Sequence, residues 1–316
     1  LNRSRICRAL QAVIALSGAC ILPACAEPSD AGSGDTATNT TTNTATMSFS
    51  IAGHNYHPEH ATRFKLPKVL REISGLTLDD EERLYGHDDE QAIVYQIDYQ
   101  AGQILKRFGL RGSLKADFEG IAWLDGKLFM TTSEGRLFEF PAGAADAVVP
   151  FQTHTNGLDC EVEGLTRAAD RQALIAACKN RPKGKKALHL HRWQPGDEQW
   201  SASPAIRVKR SQFDPLFERL GLPRPDKFQP TAVTVTHEGH FLLIAGPQKV
   251  LLELTAAGSP VAAARLDADQ HRQPEGIAIT ASGVLIIADE GDNRGANKSR
   301  GRLTIYRPEP SDAARR

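Results

Sequence analysis

The stretch 273–292, QPEGIAITASGVLIIADEGD, places a glutamate and a glycine ahead of an apolar run, turns at Ser282–Gly283, and runs apolar again into Asp289 and Glu290. Two short apolar runs of β-type residues around a glycine turn predict an antiparallel hairpin with carboxylates at both its start and its end. The same pattern occurs four more times, in EISGLTLDDEERLYGHDD, DFEGIAWLDGKLFMTTSE, EVEGLTRAADRQALIAACKN and QPTAVTVTHEGHFLLIAG. Aligned, the five put Ser74, Glu119, Glu163, Thr231 and Glu275 in one column, each followed by glycine or alanine, at intervals of 45, 44, 68 and 44 residues.

A third apolar run follows each hairpin (AIVYQID, GRLFEF, ALHLHRW, KVLLEL, GRLTIYR), and fourth runs such as GQILKRF and AIRVKR come next. Four antiparallel strands in roughly 45 residues is the size of one β-propeller blade. The spacing therefore predicts an all-β chain of five four-stranded blades over residues 49–308, with 309–316 as a tail. The long interval is assigned to an insert near 211–228, where Asp214 and Pro215 open and Gly221 closes a short helix. The last repeat lacks a fourth strand, and HATRFKLP (60–67) lacks a hairpin partner, so the N-terminal strand is expected to complete the final blade and remove two sheet edges. Six blades is the alternative, if 49–66 and the insert hide a divergent one.

Ahead of the repeats, residues 1–26 read as an export signal: Arg3, Arg5 and Arg8 precede the apolar run ALQAVIALSGACILPAC, too short and too rich in small residues for a settled membrane span. LPAC at 22–25 has the form of a bacterial lipoprotein box with Cys25 as the lipidated residue, and ACA at 24–26 is a competing cleavage site. The polar stretch 27–48, EPSDAGSGDTATNTTTNTATMS, suits a disordered tether. Both readings place the folded part outside the cytoplasm, in the periplasm or on a membrane through a lipid anchor. Cys160 and Cys178 are then a disulfide pair or two buried thiols. The 38 basic and 38 acidic side chains give no basic excess of the kind nucleic-acid binding requires, and a monomer is expected.

In a propeller the first strand of each blade lines the channel, and the second returns antiparallel to the same rim. The ring residues Glu119, Glu163 and Glu275 and the strand-end acids Asp88, Asp89, Glu134, Asp289 and Glu290 are thus expected at one mouth. Oxygen-only clusters of like charge favour Ca²⁺, and less so Mg²⁺, over zinc. Calcium on Glu119, Glu163 and Glu275 is one reading, and strand capping and backbone hydrogen bonding by the same glutamates is the other. Lys179, Arg181 and Arg294, in the loops KNRPKGKKA and DEGDNRGANKSRGR, would meet an anionic small ligand or remain solvated turns. Should the chain be a metal-assisted hydrolase, Asp289 or Glu290 is the candidate for activating water. No GxSxG elbow, phosphate-cradling glycine loop or Cys–His signature is present.

The starts EISGLTLDDEERLYGHDDE, DFEGIAWLDGKLFMTTSEGRLFEF and QPEGIAITASGVLIIADE resemble those of the SdiA-regulated, or YjiK-like, family of exported β-propellers, over about 65–308. That resemblance implies a role in the calcium response of the bacterial envelope, as a binding protein or scaffold with a small ligand or an envelope protein as partner, and it carries over no catalytic residue. PTAV departs from the pattern at the fourth repeat. Phytase-like and esterase-like propeller domains are similar more loosely, through their EGI starts, and imply hydrolysis of phosphate esters or lactones.

Overall fold

The computed structural model describes residues 56–155, 157–180, 187–224, 226–292 and 298–308. Strands are numbered in chain order. After β1 (Thr62–Lys65), blade one comprises β2 (Ile73–Leu78), β3 (Leu84–Asp88), β4 (Ile93–Asp98) and β5 (Gln103–Leu110). Blade two is built from β6 (Phe118–Leu124), β7 (Lys127–Thr132), β8 (Leu137–Phe140) and β10 (Gln152–His154), with the two-residue β9 (Val148–Val149) intervening. Blade three is β11 (Glu161–Arg167), β12 (Leu174–Asn180), β13 (Ala187–Trp193) and β14 (Ile206–Lys209), and blade four is β15 (Ala232–Val235), β16 (Phe241–Ala245), β17 (Val250–Leu254) and β18 (Pro260–Arg265). Blade five holds β19 (Pro274–Ile279), β20 (Leu285–Asp289) and β21 (Arg302–Tyr306), with β1 as its outermost strand.

The fold is a five-bladed β-propeller. Thr62 to Lys65 pair antiparallel with Ile305 to Arg302, so the chain's first strand closes its last blade and leaves no unpaired flank on β21. The inner strands β2, β6, β11, β15 and β19 each touch the next around a closed ring. Blade one also gains β9, which runs parallel to β5 through Gly109 and Leu110. The same segment then continues into β10 of blade two, so one piece of chain spans two blades, a link the repeat pattern does not show.

Side chains alternate along each strand, so every blade has two apolar faces and the core divides into layers between neighbouring blades. Ile175, Leu188, Leu190, Val233, Leu243 and Leu252 fill the layer between blades three and four, and Val94, Phe108, Phe118, Ile121, Met130 and Phe140 the layer between one and two. The insert after β14 carries helix α1 (Asp214–Arg219), with Pro215 in its first turn. Its Phe217 packs with Phe213 and Phe228, so the excursion closes over the outer end of the three–four layer. Cys160 and Cys178 form a disulfide with Cα atoms 5.8 Å apart, clipping the start of β11 to its neighbour β12.

Candidate functional site

The ring residues owe their aim to a repeated irregularity. In blade one Ile73 pairs with Asp88 and Gly75 with His87, leaving Ser74 as an extra residue with no partner on β3. Glu119 is the extra residue between Phe118 and Gly120, Glu163 between Val162 and Gly164, and Glu275 between Pro274 and Gly276. A β-bulge bends its strand and re-aims the unpaired side chain, here at the same point of four inner strands. The following glycine permits it: a Cβ on Gly120 would lie 2.6 Å from the backbone nitrogen of Leu165, one on Gly164 3.0 Å from that of Val233, and one on Gly276 2.8 Å from Leu76 Cγ. Each glycine thus admits the next blade's inner strand. The fourth blade, with Ala232 in that place, has no such bulge.

Ring contacts run from blade to blade. Ser74 Oγ donates to Glu119 Oε2 at 3.1 Å, and Thr231 Oγ1 donates to the Pro274 carbonyl at 2.5 Å. Glu163, 4% exposed, accepts an ion pair from Lys179 Nζ at 2.9 Å. Lys179 is therefore a counter-charge inside the ring and not a solvated turn. Ser74, Glu119 and Glu275, with Gly75, Gly120 and Gly164, line a cavity of ≈ 10 Å³, room for about one water-sized body.

Burial favours the protonated form of the ring carboxyls, opposed at Glu163 by the Lys179 counter-charge. Glu119 is pushed well above the usual carboxyl range by desolvation, then by the charges of Glu163 and Asp117. Desolvation also raises Glu163, against the opposing pull of Lys179. Glu275 is pushed up to about 8 by desolvation and by Glu163.

A second cluster lies on the same rim at the open end of the β2–β3 hairpin of blade one. Among the described residues, Glu72, Asp88 and Asp89 form the one group of three acids or other ligand side chains whose donor atoms all lie within 4.8 Å of one another. The backbone sets it: Asp89 N–H donates to Glu72 O at 3.1 Å, and Phe118 N–H donates to Asp89 O at 2.8 Å. Asp89 Oδ1 is buried with no hydrogen-bond partner among the described residues. Desolvation, followed by the charges of Asp88, Glu72 and Glu290, pushes the Asp89 carboxyl up to about 7. Glu290 stands beside this group and takes a 2.8 Å hydrogen bond from Gln273 Nε2. Glu119, Glu163 and Glu275 do not form such a three-oxygen group.

The remaining candidates are dispersed. Glu134 sits on an exposed turn, paired at 3.4 Å with Arg136. Asp289, 4% exposed, is bonded at 2.8 Å to the buried ring of His271, whose other nitrogen meets the Tyr306 hydroxyl at 2.6 Å. Its alternation on β20 turns it toward blade four and away from the channel, so it is built into an inter-blade layer. Cys25, Arg181 and Arg294 lie outside the described residues, as do the leader, the tether and the C-terminal tail. Sequence reasoning missed Glu72, which precedes its strand by one residue. Its signal was the acid two positions ahead of the ring column, which Asp117 and Glu161 share.

No protein-family model and no curated protein matches the chain. Solved structures do. The glutaminyl cyclase of Myxococcus xanthus superposes with a TM-score of 0.51 at 15% identity, over 79% of this chain and 96% of that one. A gluconolactonase from Xanthomonas campestris matches with a TM-score of 0.46 at 13% identity, over 75% of this chain and 72% of that one. A PQQ-bound aldose sugar dehydrogenase from Streptomyces coelicolor gives 0.46 at 13%, over 80% and 99%. The likeness to the first, at that identity, is one of fold. It supports a propeller and assigns neither the SdiA-regulated, YjiK-like family nor an activity.

Proposed function

We propose that this protein is an exported, lipid-anchored propeller that binds calcium at the acid-lined mouth of its channel and serves the envelope as a calcium-responsive binding protein or scaffold. The observation that carries this reading is the convergence of Glu72, Asp88 and Asp89, with a buried Asp89 oxygen that no described residue satisfies. An all-carboxylate donor set suits a hard cation, and Ca²⁺ tolerates the irregular coordination such a rim offers, with water completing six to eight oxygens. A bound ion would stabilise the ionised form of Asp89 that burial and like charge now disfavour. The ring glutamates are secondary ligands in this reading, because Lys179 already neutralises Glu163.

A specific observation favours a second reading, a metal-assisted hydrolase of lactones or phosphate esters. Glu119, which burial keeps protonated, stands near Glu163, which Lys179 holds toward its ionised form. Two carboxyls driven apart in this way are an acid and a base in waiting.

Calorimetric titration of chelator-stripped, folded protein with Ca²⁺ and Mg²⁺ tests the first reading. Saturable calcium binding, lost in Asp89→Asn and weakened in Glu72→Gln, is expected; its absence from the wild type would return the rim acids to a structural role. Turnover of a lactone or phosphate ester that requires metal and disappears in Glu119→Gln would establish the hydrolase in its place.

A further inference from the structure

Away from the channel, a cavity of ≈ 220 Å³ opens between blades four and five. Its walls come from the facing sides of two sheets: Leu251 and Leu266 from blade four, Leu285 and Ile287 from blade five, with the rings of Tyr56 and Tyr306 closing it. The Tyr306 hydroxyl is committed to His271 Nε2, and the opposite ring nitrogen of His271 to Asp289. With Asp289 accepting from Nδ1–H, Nε2 accepts the phenolic proton, so this relay fixes the Tyr306 ring as a wall and uses up its polar end. Tyr56 likewise donates its hydroxyl to the Gly283 carbonyl. Both tyrosines therefore offer the cavity their apolar bodies.

Two charged side chains line the rim. Asp267 is occupied by its own loop, its Oδ1 accepting the backbone N–H of Asp269 at 2.8 Å and of Gln270 at 3.3 Å. Arg265, at the end of β18, is exposed, and its guanidinium makes no hydrogen bond or ion pair with any described residue. An apolar chamber with one planar cation at its opening that no described residue pairs matches an apolar body ending in a carboxylate, because guanidinium and carboxylate pair through two parallel hydrogen bonds. A dry cavity of about 150 Å³ takes up benzene, so this one has space for a single ring with a short side chain.

We infer that the cavity between blades four and five is a binding site for a small carboxylic acid with a monocyclic aromatic or branched aliphatic body, held by Arg265 at the rim. The site is separate from the channel mouth and needs no metal.

The test uses phenylacetate and 2-phenylethanol, which share the body and differ in the charged group, titrated into the folded protein in chelator and followed by ligand-observed NMR. Saturable binding of phenylacetate is expected, with 2-phenylethanol about tenfold weaker, the usual scale for losing one charge-assisted pair. Arg265→Gln, on the exposed rim, should reduce phenylacetate to the level of the alcohol without moving Tm. Ala264→Trp, which fills the chamber, should abolish both. Equal binding of acid and alcohol, no saturable binding of either, or binding indifferent to Arg265→Gln would overturn the inference. The Arg265 comparison decides the matter alone if the tryptophan variant misfolds. Asp89→Asn, which removes calcium binding under the channel-mouth proposal, should leave phenylacetate binding intact, so the two proposals fail separately.

Discussion

Gly120 shows how one residue sets both fold and site. Its missing side chain lets β11 approach β6 so closely that a Cβ would sit 2.6 Å from a backbone nitrogen, and backbone cannot swing aside as a side-chain tip can. Gly120→Ala should cost about 2 kcal/mol, the scale of overpacking in a close-packed layer, and lower Tm by about 4–8 °C. A thermal melt within a degree of wild type would show that the inner strands have slack. Glu275 gives the residue-scale pH dependence. Its folded-state value of about 8 lies above the ordinary glutamate value, so between the two the native state holds more protons than the unfolded one. Stability from this group is then highest in mild acid and declines as pH rises toward 8. Urea melts of metal-free protein at pH 5 and pH 8.5 should show the decline, and Glu275→Gln should flatten it; a slope unchanged by that substitution would place the proton elsewhere.

At the scale of elements, the bulge is the unit that makes the mouth. Four inner strands carry an extra residue ahead of the glycine, and the fourth blade, with Thr231 bonded to the Pro274 carbonyl, keeps a regular hairpin instead. The polar column and its glycines were legible in the sequence, since glycine inside a strand pattern marks a bulge or a close approach. What was not legible is which atoms meet, because Lys179 reaches Glu163 only through the pairing of β11 with β12. The disulfide belongs to this scale too. It closes a loop over a sequence separation of 18, for which chain entropy gives a stabilisation of about 3 kcal/mol. Reduction should lower the urea midpoint accordingly, and thiol labelling of unfolded, unreduced protein should find Cys160 and Cys178 unreactive.

For the whole molecule, closure is the decisive contact. β1 and β21 are about 240 residues apart in the chain and lie side by side in one blade. Removing the chain through Lys65 should leave β21 as an exposed edge, replace the single cooperative transition by a broad one, and shift the protein to aggregates on size exclusion. A truncated protein that stays monomeric and melts sharply would mean that the ring holds without its closing strand.

The sequence by itself determined the propeller architecture, the antiparallel order within its blades, the closing strand and the column of residues that faces the channel, while the choice of five blades over six came from the observed sheets. The former follow from periodicity, and a repeat of fixed length admits few architectures. Only the tertiary structure decided the chemistry of the mouth. Glu72, Asp88 and Asp89 come together where the β2–β3 ladder runs on past its bulge, Asp289 turns to His271 between two blades, and Glu134 faces solvent. A repeat pattern specifies which strand a residue lies on and how far along it. The direction of a side chain at a strand end depends on bulges and on neighbouring blades, and these are fixed by contacts between residues far apart in the chain.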